Sequence, residues 1–573
     1  MAKALLEITG LNIHFDLEGH SFHALKDISF KVNRGEIVAI VGESGSGKSV
    51  TALSTLRLLP SPPARIHSGK ILFSADGLQS EDILHCSKTD LRRIRGNRIA
   101  MIFQEPMTSL NPLMTCGRQV MESIRLHQKA NRDLAREKTL KLFEKVQLPD
   151  PSGMLDLYPH QLSGGQKQRV MIAMAMSCEP SLLIADEPTT SLDVTVQKSI
   201  LELIRDLQRA ENMGVIFITH DLGLVADIAD RVIVMYQGEI AEQGNTGQII
   251  SKPEHPYTRA LLACRPALHP KGSRLPVVSD FLEGSATPDF SMTGNVPEMK
   301  SITGPSQAKA EPIITVRDLR VWFPVSKNFF GNLLKFNRAI DGVSFDIFEG
   351  ETLGLVGESG CGKTTLGRTL LHLVQPYSGS IKYKGRDFLA MSGKELKPLR
   401  KQIQIIFQDP YSSLNPRMTV GTAIQEAMQV HGLWENGLIR KLKTIDLLEK
   451  VGLNGDHFSR YPHEFSGGQR QRIGIARALA LDPAFLVCDE SVSALDVSVQ
   501  AQVLNLINDL KKEYGFSVVF ISHDLSVVHY ISDRIMVMNQ GKIEEIGEAG
   551  QVFHKPHSDY TRRLISAIPG KAG

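Results

Sequence analysis

Two short segments of the chain have the residue types and spacing of a loop that binds phosphate. GESGSGKS at 42–49 and GESGCGKT at 357–364 both fit G-x-x-x-x-G-K-[ST], and each stands between an apolar run and a helical pattern. Glycine lets the backbone wrap the β-phosphate of a nucleotide, and lysine reaches the β- and γ-phosphate oxygens. The predicted phosphate ligands are Gly42, Ser44, Gly45, Gly47, Lys48 and Ser49, and then Gly357, Ser359, Gly360, Gly362, Lys363 and Thr364.

An acidic pair closes an apolar run in LLIADE and again in FLVCDE. The first acid of each pair, Asp186 or Asp489, is placed to hold a metal ion through water. The second acid, Glu187 or Glu490, can polarise a water molecule that attacks the terminal phosphate in line. The pairs therefore indicate hydrolysis rather than nucleotide binding alone.

Other polar residues recur at equivalent places in the two copies. The hydroxyls of Ser49 and Thr364 are predicted ligands of Mg²⁺. Glutamine follows an Ile-Phe pair twice and could contact the metal or the attacking water, at Gln104 and Gln408. Histidine ends the strand-like runs VIFIT and VVFIS and could hold the γ-phosphate by a hydrogen bond, at His220 and His523.

A second kind of anion loop, LSGGQKQR or FSGGQRQR, also occurs twice. Two glycines behind a serine at the start of a helix expose backbone N–H groups at the positive end of the helix dipole. These loops contain no lysine of the phosphate-loop kind. Their predicted ligands are Ser163, Gly164, Gly165 and Gln166, and Ser466, Gly467, Gly468 and Gln469.

The elements that must position these residues belong to an internal repeat, which occurs twice along the 573 residues. Short runs rich in Val and Ile alternate with longer helical segments, as buried parallel strands alternate with crossover helices. We therefore predict two tandem α/β phosphate-loop domains with mostly parallel sheets, at 1–265 and 312–573. The segments at about 115–160 and 420–463 lack strand patterns and are predicted helical insertions. The Pro-, Gly- and Ser-rich stretch 266–311 is the predicted linker, a solvated tether in which PVVSDF could be locally ordered.

Composition excludes several classes of protein. The net charge of +3 is too balanced to indicate nucleic acid as the main partner. Six scattered cysteines without a C-x-x-C pair argue against zinc, iron–sulfur clusters and a disulfide framework, and fit a reducing compartment. The start MAKALLEITG does not resemble a signal peptide, and no run of about 18 apolar residues predicts a spanning helix.

Taken in order, the phosphate loop, FQ segment, SGGQ loop, DE pair, S-L-D or A-L-D segment and H-D dipeptide resemble the nucleotide-binding domain of ABC transporters. The resemblance covers nearly the whole of both halves. It implies that each SGGQ loop binds the γ-phosphate of ATP held by the opposite half, so that Lys48 faces the second loop and Lys363 the first. Asp193 and Asp496 would resemble the D-loop, which crosses the interface. Because every catalytic position is filled twice, we expect two competent sites.

Two features leave part of this resemblance open. Ser491 stands where the first copy and the usual family pattern have proline, which could loosen the turn after the acidic pair without removing a reacting group. The family stacks an aromatic side chain on adenine, and four phenylalanines compete for that role: Phe15, Phe22, Phe323 and Phe336.

FQEPMTSLNPLMT, FQDPYSSLNPRMT, YPHQLSGGQ and the tail pieces HPYTRALL and DYTRRLI resemble the ATP-binding subunits of oligopeptide, dipeptide, nickel and glutathione importers. The resemblance implies ATP and Mg²⁺ as ligands, two transmembrane permease subunits or halves, and an extracytoplasmic solute-binding protein. It implies a peripheral location at the cytoplasmic face of the cell membrane, with membrane contact only through the permeases. The permease grooves would lie at about 104–160 and 408–463. The family's iron–sulfur cysteine cluster is missing and is not expected.

Three alternatives stay open on the sequence. A soluble twin ABC ATPase could act on the ribosome or on DNA, although the neutral linker and the lack of C-x-x-C disfavour this function. An exporter would usually carry fused spanning helices. Within importers, peptides are favoured over nickel and glutathione because the tail motifs are closest to the peptide branch.

Overall fold

The computed structural model shows two halves built on the same plan. It describes residues 4–17, 20–104, 109–190, 192–283, 311–327, 333–493 and 495–568. Each half contains a small antiparallel sheet, a larger mostly parallel sheet and a group of helices inserted beside it. The predicted fold class, two tandem α/β domains with helical insertions, is confirmed.

The first half contains two sheets. Its strands are β1 (Leu6–Leu17), β2 (His20–Val32), β3 (Ile37–Val41), β4 (Ala64–Phe73), β5 (Glu81–Asp82), β6 (Ile99–Ile102), β7 (Leu182–Asp186), β8 (Gly214–Thr219), β9 (Arg231–Tyr236) and β10 (Glu239–Asn245). The antiparallel sheet has the order β2-β1-β4-β5, and the larger sheet has the order β10-β9-β3-β8-β7-β6. All strands of the larger sheet are parallel to their neighbours except β10.

The second half repeats both sheets. Its strands are β11 (Pro312–Lys327), β12 (Leu333–Phe348), β13 (Thr352–Val356), β14 (Ser378–Tyr383), β15 (Arg386–Asp387), β16 (Ile403–Ile406), β17 (Phe485–Asp489), β18 (Ser517–Ile521), β19 (Arg534–Asn539) and β20 (Lys542–Glu548). Their orders are β12-β11-β14-β15 and β16-β17-β18-β13-β19-β20. The strands β3, β7, β8, β13, β17 and β18 are buried along their whole length, which explains their continuous apolar runs.

Helices cover the parallel sheets and form the insertions. In the first half they are Lys48–Thr55, Lys88–Ile94, Cys116–Gln128, Arg132–Lys145, Pro151–Met154, Gly164–Met176, Val194–Glu211, Leu222–Ile228, Thr246–Ser251, Pro256–Ala263 and Val278–Leu282. In the second half they are Lys363–Leu370, Gly393–Gln402, Pro410–Ser413, Val420–Val430, Gly437–Lys450, Gly467–Leu479, Val497–Tyr514, Leu525–Ile531, Ala549–His554 and Asp559–Ser566. No helix in these described ranges is both long and apolar enough to cross a membrane.

Part of the predicted linker is packed against the second half. Residues 266–283 contain the 3₁₀ turn Pro266–Leu268 and the helix Val278–Leu282. Leu275 is 1% exposed and belongs to a hydrophobic cluster that includes residues of both halves. This segment therefore differs from the predicted solvated tether, because its apolar side chains pack into a hydrophobic cluster. Residues 284–310 lie outside the described part of the chain.

Candidate ATP-hydrolysis sites

Each phosphate loop joins a buried parallel strand to a helix. Gly47 and Gly362 precede the helices and have positive φ values of 102° and 108°, where glycine alone is unstrained. A Cβ at Gly362 would lie 2.3 Å from the carbonyl oxygen of Ala339. A side chain here would force the loop away from the strand behind it. The backbone can therefore pass through these points only as glycine.

The two loop lysines lie folded over their own loops. Lys48 Nζ donates to the carbonyl oxygens of Gly42 at 2.7 Å and Glu43 at 2.9 Å. Lys363 makes the same pair of bonds at 2.7 and 2.9 Å. Burial lowers the pKa of Lys48, although nearby acids oppose this. Both side chains are held at the loop that phosphate would enter.

A hydroxyl and a carboxylate meet beside each loop as a donor set for Mg²⁺. Ser49 Oγ donates to Asp186 Oδ1 at 3.1 Å, and Thr364 Oγ1 donates to Asp489 Oδ1 at 3.0 Å. Burial raises the pKa of Asp186 to about 6, and the bond from Ser49 opposes it. Hard oxygen donors next to a phosphate loop are what Mg²⁺ prefers. The residues present thus fit a magnesium nucleotide.

The predicted catalytic residues of the first half converge on one carboxylate. Glu187 Oε2 accepts from Gln104 Nε2 at 3.2 Å and from Thr190 Oγ1 at 2.8 Å, and it lies 3.3 Å from His220 Nδ1. Burial alone would raise the pKa of Glu187, but bonds to His220 and Thr190 and the charge of Lys48 outweigh it and lower that pKa to about 2. The carboxylate stays ionised, as a group that orients water must.

The second half repeats this arrangement with small differences. Glu490 Oε2 accepts from Gln408 Nε2 at 2.7 Å and lies 3.7 Å from His523 Nδ1. Burial opposes ionisation of Glu490, but His523 and Lys363 outweigh it and lower its pKa. The hydroxyl that corresponds to Thr190 belongs to Ser493 and donates to the main-chain oxygen of Glu490 at 2.9 Å instead. Both halves thus bring together an acid, a glutamine and a histidine.

The two SGGQ loops each begin a helix with a reciprocal cap. Ser163 Oγ accepts from the backbone N–H of Gln166 at 3.3 Å, while Gln166 Oε1 accepts from the N–H of Ser163 at 2.9 Å. Ser466 and Gln469 repeat the pair. The side chains therefore satisfy part of the helix terminus and fix the loop's shape. The second glycine is required by packing, since a Cβ at Gly468 would lie 2.3 Å from Val499 Cγ1.

Residues of the second half contact the phosphate loop of the first. The backbone N–H of Ser44 donates to Asp496 Oδ2 at 3.0 Å, and Ser498 Oγ donates to the carboxylate of Glu43. Val499, which follows directly, packs against the SGGQ glycine Gly468. The SGGQ region of the second half therefore lies close to the loop that contains Lys48.

The reciprocal contact differs. Asp193 accepts from the N–H of Val196 in its own helix at 3.0 Å. Within the described chain, no hydrogen bond joins Asp193 to Ser359, the counterpart of Ser44. The two ends of the interface are thus unequal in this conformation.

Two tyrosines that sequence reasoning treated only as tail motifs belong to the site. The hydroxyl of Tyr257 accepts from the backbone N–H of Glu43 at 3.0 Å, and that of Tyr560 accepts from the N–H of Glu358 at 3.1 Å. Tyr257 is 0% exposed. The recurrence of YTR in HPYTRALL and DYTRRLI was the available signal for this role.

The four candidate aromatic residues lie on the antiparallel sheets. Phe15 and Phe22 are paired across β1 and β2, and Phe22 is more than half exposed. Phe323 is partly exposed, whereas the ring of Phe336 lies 5.9 Å from that of Tyr377 in a surface aromatic cluster. Phe336 is therefore engaged in packing.

The chain matches two family models. The ABC transporter model matches residues 25–190 and 340–493. The model for the C-terminal region of oligopeptide/dipeptide transporters matches residues 241–283 and 545–572. Both models thus match once in each half.

Curated relatives resemble the chain over almost its whole length. The glutathione import ATP-binding protein GsiA of Pectobacterium atrosepticum is 50% identical over 568 residues, which cover 99% of this chain and 90% of the relative. Proteins of the same name from Salmonella choleraesuis and Escherichia coli are 49% identical over 575 residues with the same coverage.

Proposed function

The chain belongs to the ABC transporter family, and from this premise we propose that it is the ATP-hydrolysing subunit of an importer for glutathione and other small peptides. The observation that carries the proposal is the C-terminal region of oligopeptide/dipeptide transporters, which occurs once in each half. Relatives named for glutathione import at 49–50% identity across the chain support glutathione as the first solute to test. The sequence patterns alone favour peptides over glutathione, and the names of the relatives are the reason for testing glutathione, itself a peptide-like molecule, first.

ATP hydrolysis at each site follows from the residues in place. Lys48 and the backbone N–H groups of its loop neutralise the phosphates, and Glu187 orients the attacking water. His220 and Gln104 hold that carboxylate in position. Ser49 and Asp186 would hold Mg²⁺, which supplies positive charge to the phosphate oxygens. Their counterparts in the second half do the same, so two working sites are proposed.

Each site is proposed to be shared between the halves. The contacts of Asp496 with Ser44 and of Ser498 with Glu43 support this, because they bring the second half's SGGQ region beside the first half's phosphate loop. An SGGQ loop needs no lysine if the opposite phosphate loop supplies one. Closure around two nucleotides and release after hydrolysis would then drive the transport cycle.

The chain is an ATP-binding subunit of a membrane import system. We propose two permease subunits or halves, one for each helical region at about 104–160 and 408–463. Residues 105–108 of the first region lie outside the described chain. A solute-binding protein outside the membrane and a peripheral position at the cytoplasmic face complete the proposal.

Uptake measurements test the solute. The gene is deleted, and cells are supplied with radiolabelled glutathione, a dipeptide, an oligopeptide or nickel. We expect loss of glutathione or peptide uptake, with recovery by the wild-type gene and none by the Glu187→Gln/Glu490→Gln variant. If all four solutes still enter the deletion strain at the wild-type rate, the importer proposal is wrong.

A further inference from the structure

The segment Lys271–Val278, here called the clasp, follows the helix Pro256–Ala263 and the turn Pro266–Leu268 and lies in a groove of the second half. The groove is formed by the helices Val497–Tyr514 and Leu525–Ile531. Leu275 of the clasp is 1% exposed, and Val278 is 8% exposed. Both belong to the hydrophobic cluster that contains the core of the second half.

Polar contacts fix the clasp at its centre. The buried Asn505 amide accepts from the backbone N–H of Leu275 at 2.9 Å and donates to the Leu275 carbonyl at 2.8 Å. The hydroxyl of Tyr530 donates to the carbonyl oxygen of Ser273 at 2.5 Å. Both the oxygen and the nitrogen of the Asn505 side-chain amide bond to the backbone of the clasp. The groove thus satisfies the polar backbone groups of an extended segment.

Charged contacts hold the part of the clasp that precedes Leu275. Lys271 Nζ lies 2.5 Å from Asp533 Oδ1, and Arg274 lies 3.3 Å from Asp509. Lys511 shares Asp533 from the other side at 3.2 Å. The Lys271 pair is half-exposed and the Arg274 pair is mostly exposed, so both help to set the register of the clasp and add little to its apolar and backbone contacts.

The first half has a corresponding groove, and no segment of the described chain lies in it in this way. There the cavity of about 510 Å³ is lined in part by Arg205, Arg209, Asp227 and Asp230. Glu202 occupies the place in its helix that Asn505 has in the second half. The described chain thus holds its two halves together by an extended segment on one side only.

The clasped side is also the side of the Lys48 site. The clasp follows the helix whose Tyr257 bonds to the phosphate loop of the first half. It packs on the helix Val497–Tyr514, whose first turn contains Ser498, the partner of Glu43 in that loop. Clasp, tyrosine and D-loop therefore lie along one edge of the interface.

We propose that the clasp keeps the two halves associated along this edge without nucleotide, so that the chain opens as a hinge at the Lys363 site while the Lys48 site stays nearly closed. Such an arrangement makes ATP exchange unequal at the two sites. It does not depend on which solute is carried.

Distance measurements on the full chain test the hinge. Spin labels on exposed residues are placed across the Lys48 site at Lys70 and Gln429, and across the Lys363 site at Glu122 and Lys382. The partly exposed Cys86 is replaced by serine, since the other five cysteines are buried. Without nucleotide, we expect a narrow distribution for the first pair and a broader, longer one for the second. Equal broadening of both pairs would overturn the hinge.

Variants of the clasp test its role. Asn505→Ala combined with Leu275→Asp should broaden the first pair to match the second, whereas Glu202→Ala in the first half's groove is the matched control and should change neither. Lys271→Ala/Arg274→Ala alters only side chains that are half-exposed or more and should broaden the first pair to a smaller extent. In the Glu187→Gln/Glu490→Gln background with ATP and Mg²⁺, each pair should reach the same short distance in every variant, which verifies folding. An unchanged first pair in the folded clasp variants overturns the proposal.

Discussion

Glu187 and Glu490 each follow the last residue of a buried strand with a positive φ, 47° and 46°, that non-glycine residues rarely adopt. Backbone strain of this kind persists where surrounding contacts over-determine a conformation. Here the turn aims each carboxylate back at a histidine and a glutamine. The strained backbone at these two positions therefore orients one carboxylate in each half.

Replacing these acids by their amides isolates their role. Glu187→Gln and Glu490→Gln should each lower ATP turnover by about 10²- to 10⁴-fold at the altered site, because the water loses its orienting base. The double variant should still bind two nucleotides. Phosphate release and nucleotide trapping measure the two quantities separately. Wild-type turnover in Glu490→Gln would show that the second site does not hydrolyse ATP.

Tyr257 and Tyr560 support the phosphate loops from the C-terminal regions of the two halves. Phenylalanine at either position leaves a backbone N–H without its acceptor, which costs about 1–3 kcal/mol in a buried setting. Part of this free energy is lost from the conformation of the phosphate loop that binds ATP. ATP affinity should therefore fall by about three- to tenfold. Calorimetric titration measures it. Tyr236→Phe is the control, because its hydroxyl accepts a hydrogen bond from Gln237 at the surface and, in the described residues, bonds to no phosphate loop. An equal loss there would refute the specific role of Tyr257.

At the scale of elements, the helices Gly164–Met176 and Gly467–Leu479 present their N-termini to the interface between halves. Each begins with a serine cap and a glycine pressed against the neighbouring D-loop helix. A side chain at the second glycine of either loop, Gly165 or Gly468, would displace a valine of that helix. In the proposed arrangement, the loop would therefore act at the opposite site through its shape as well as through its charge.

The variant Ser163→Arg tests whether the SGGQ loop of one half acts at the ATP site of the other half. The added side chain should block the face of the first helix and reduce hydrolysis at the Lys363 site, with nucleotide binding at Lys48 largely retained. Site-resolved trapping, with peptides of the two halves separated after photolabelling, distinguishes the sites. Loss confined to the nucleotide on Lys48 would mean that each SGGQ loop serves its own half.

At the scale of the whole molecule, two ABC ATPase halves of the same architecture lie in one chain. In the proposed assembly, the helical regions on each half receive the permeases, and the fused chain keeps the two halves in a fixed ratio. The D-loop contacts and the clasp differ between the halves, and the proposed unequal opening of the two sites rests on these differences.

Expression with and without the permease genes tests the expected assembly. The chain should sediment with membranes only when the permeases are present, because the described residues contain no spanning helix. Fractionation followed by immunodetection measures this. Equal membrane association without the permeases, or none with them, would contradict docking through permeases.

Much of each site could be predicted from sequence because its residues sit next to the strands that position them. A phosphate loop requires a strand, glycines and a helix in immediate succession, and the DE and H-D pairs mark the ends of neighbouring parallel strands. Parallel order brings those ends to one edge of the sheet. Lys48, Asp186, Glu187, Gln104 and His220 therefore converge as local patterns indicate.

Sequence by itself determined the two-fold plan, the fold class and the chemistry that each half is equipped to perform, since these depend on local patterns that occur twice. Only the tertiary structure decided that Tyr257 supports a phosphate loop, that Asp496 contacts Ser44, and that Leu275 lies in a groove of the second half. These contacts join residues more than 200 positions apart, and no local periodicity records which distant surfaces will meet. From its sequence, the Pro- and Gly-rich stretch is predicted to be a free linker. Only the structure shows the surface that buries Leu275.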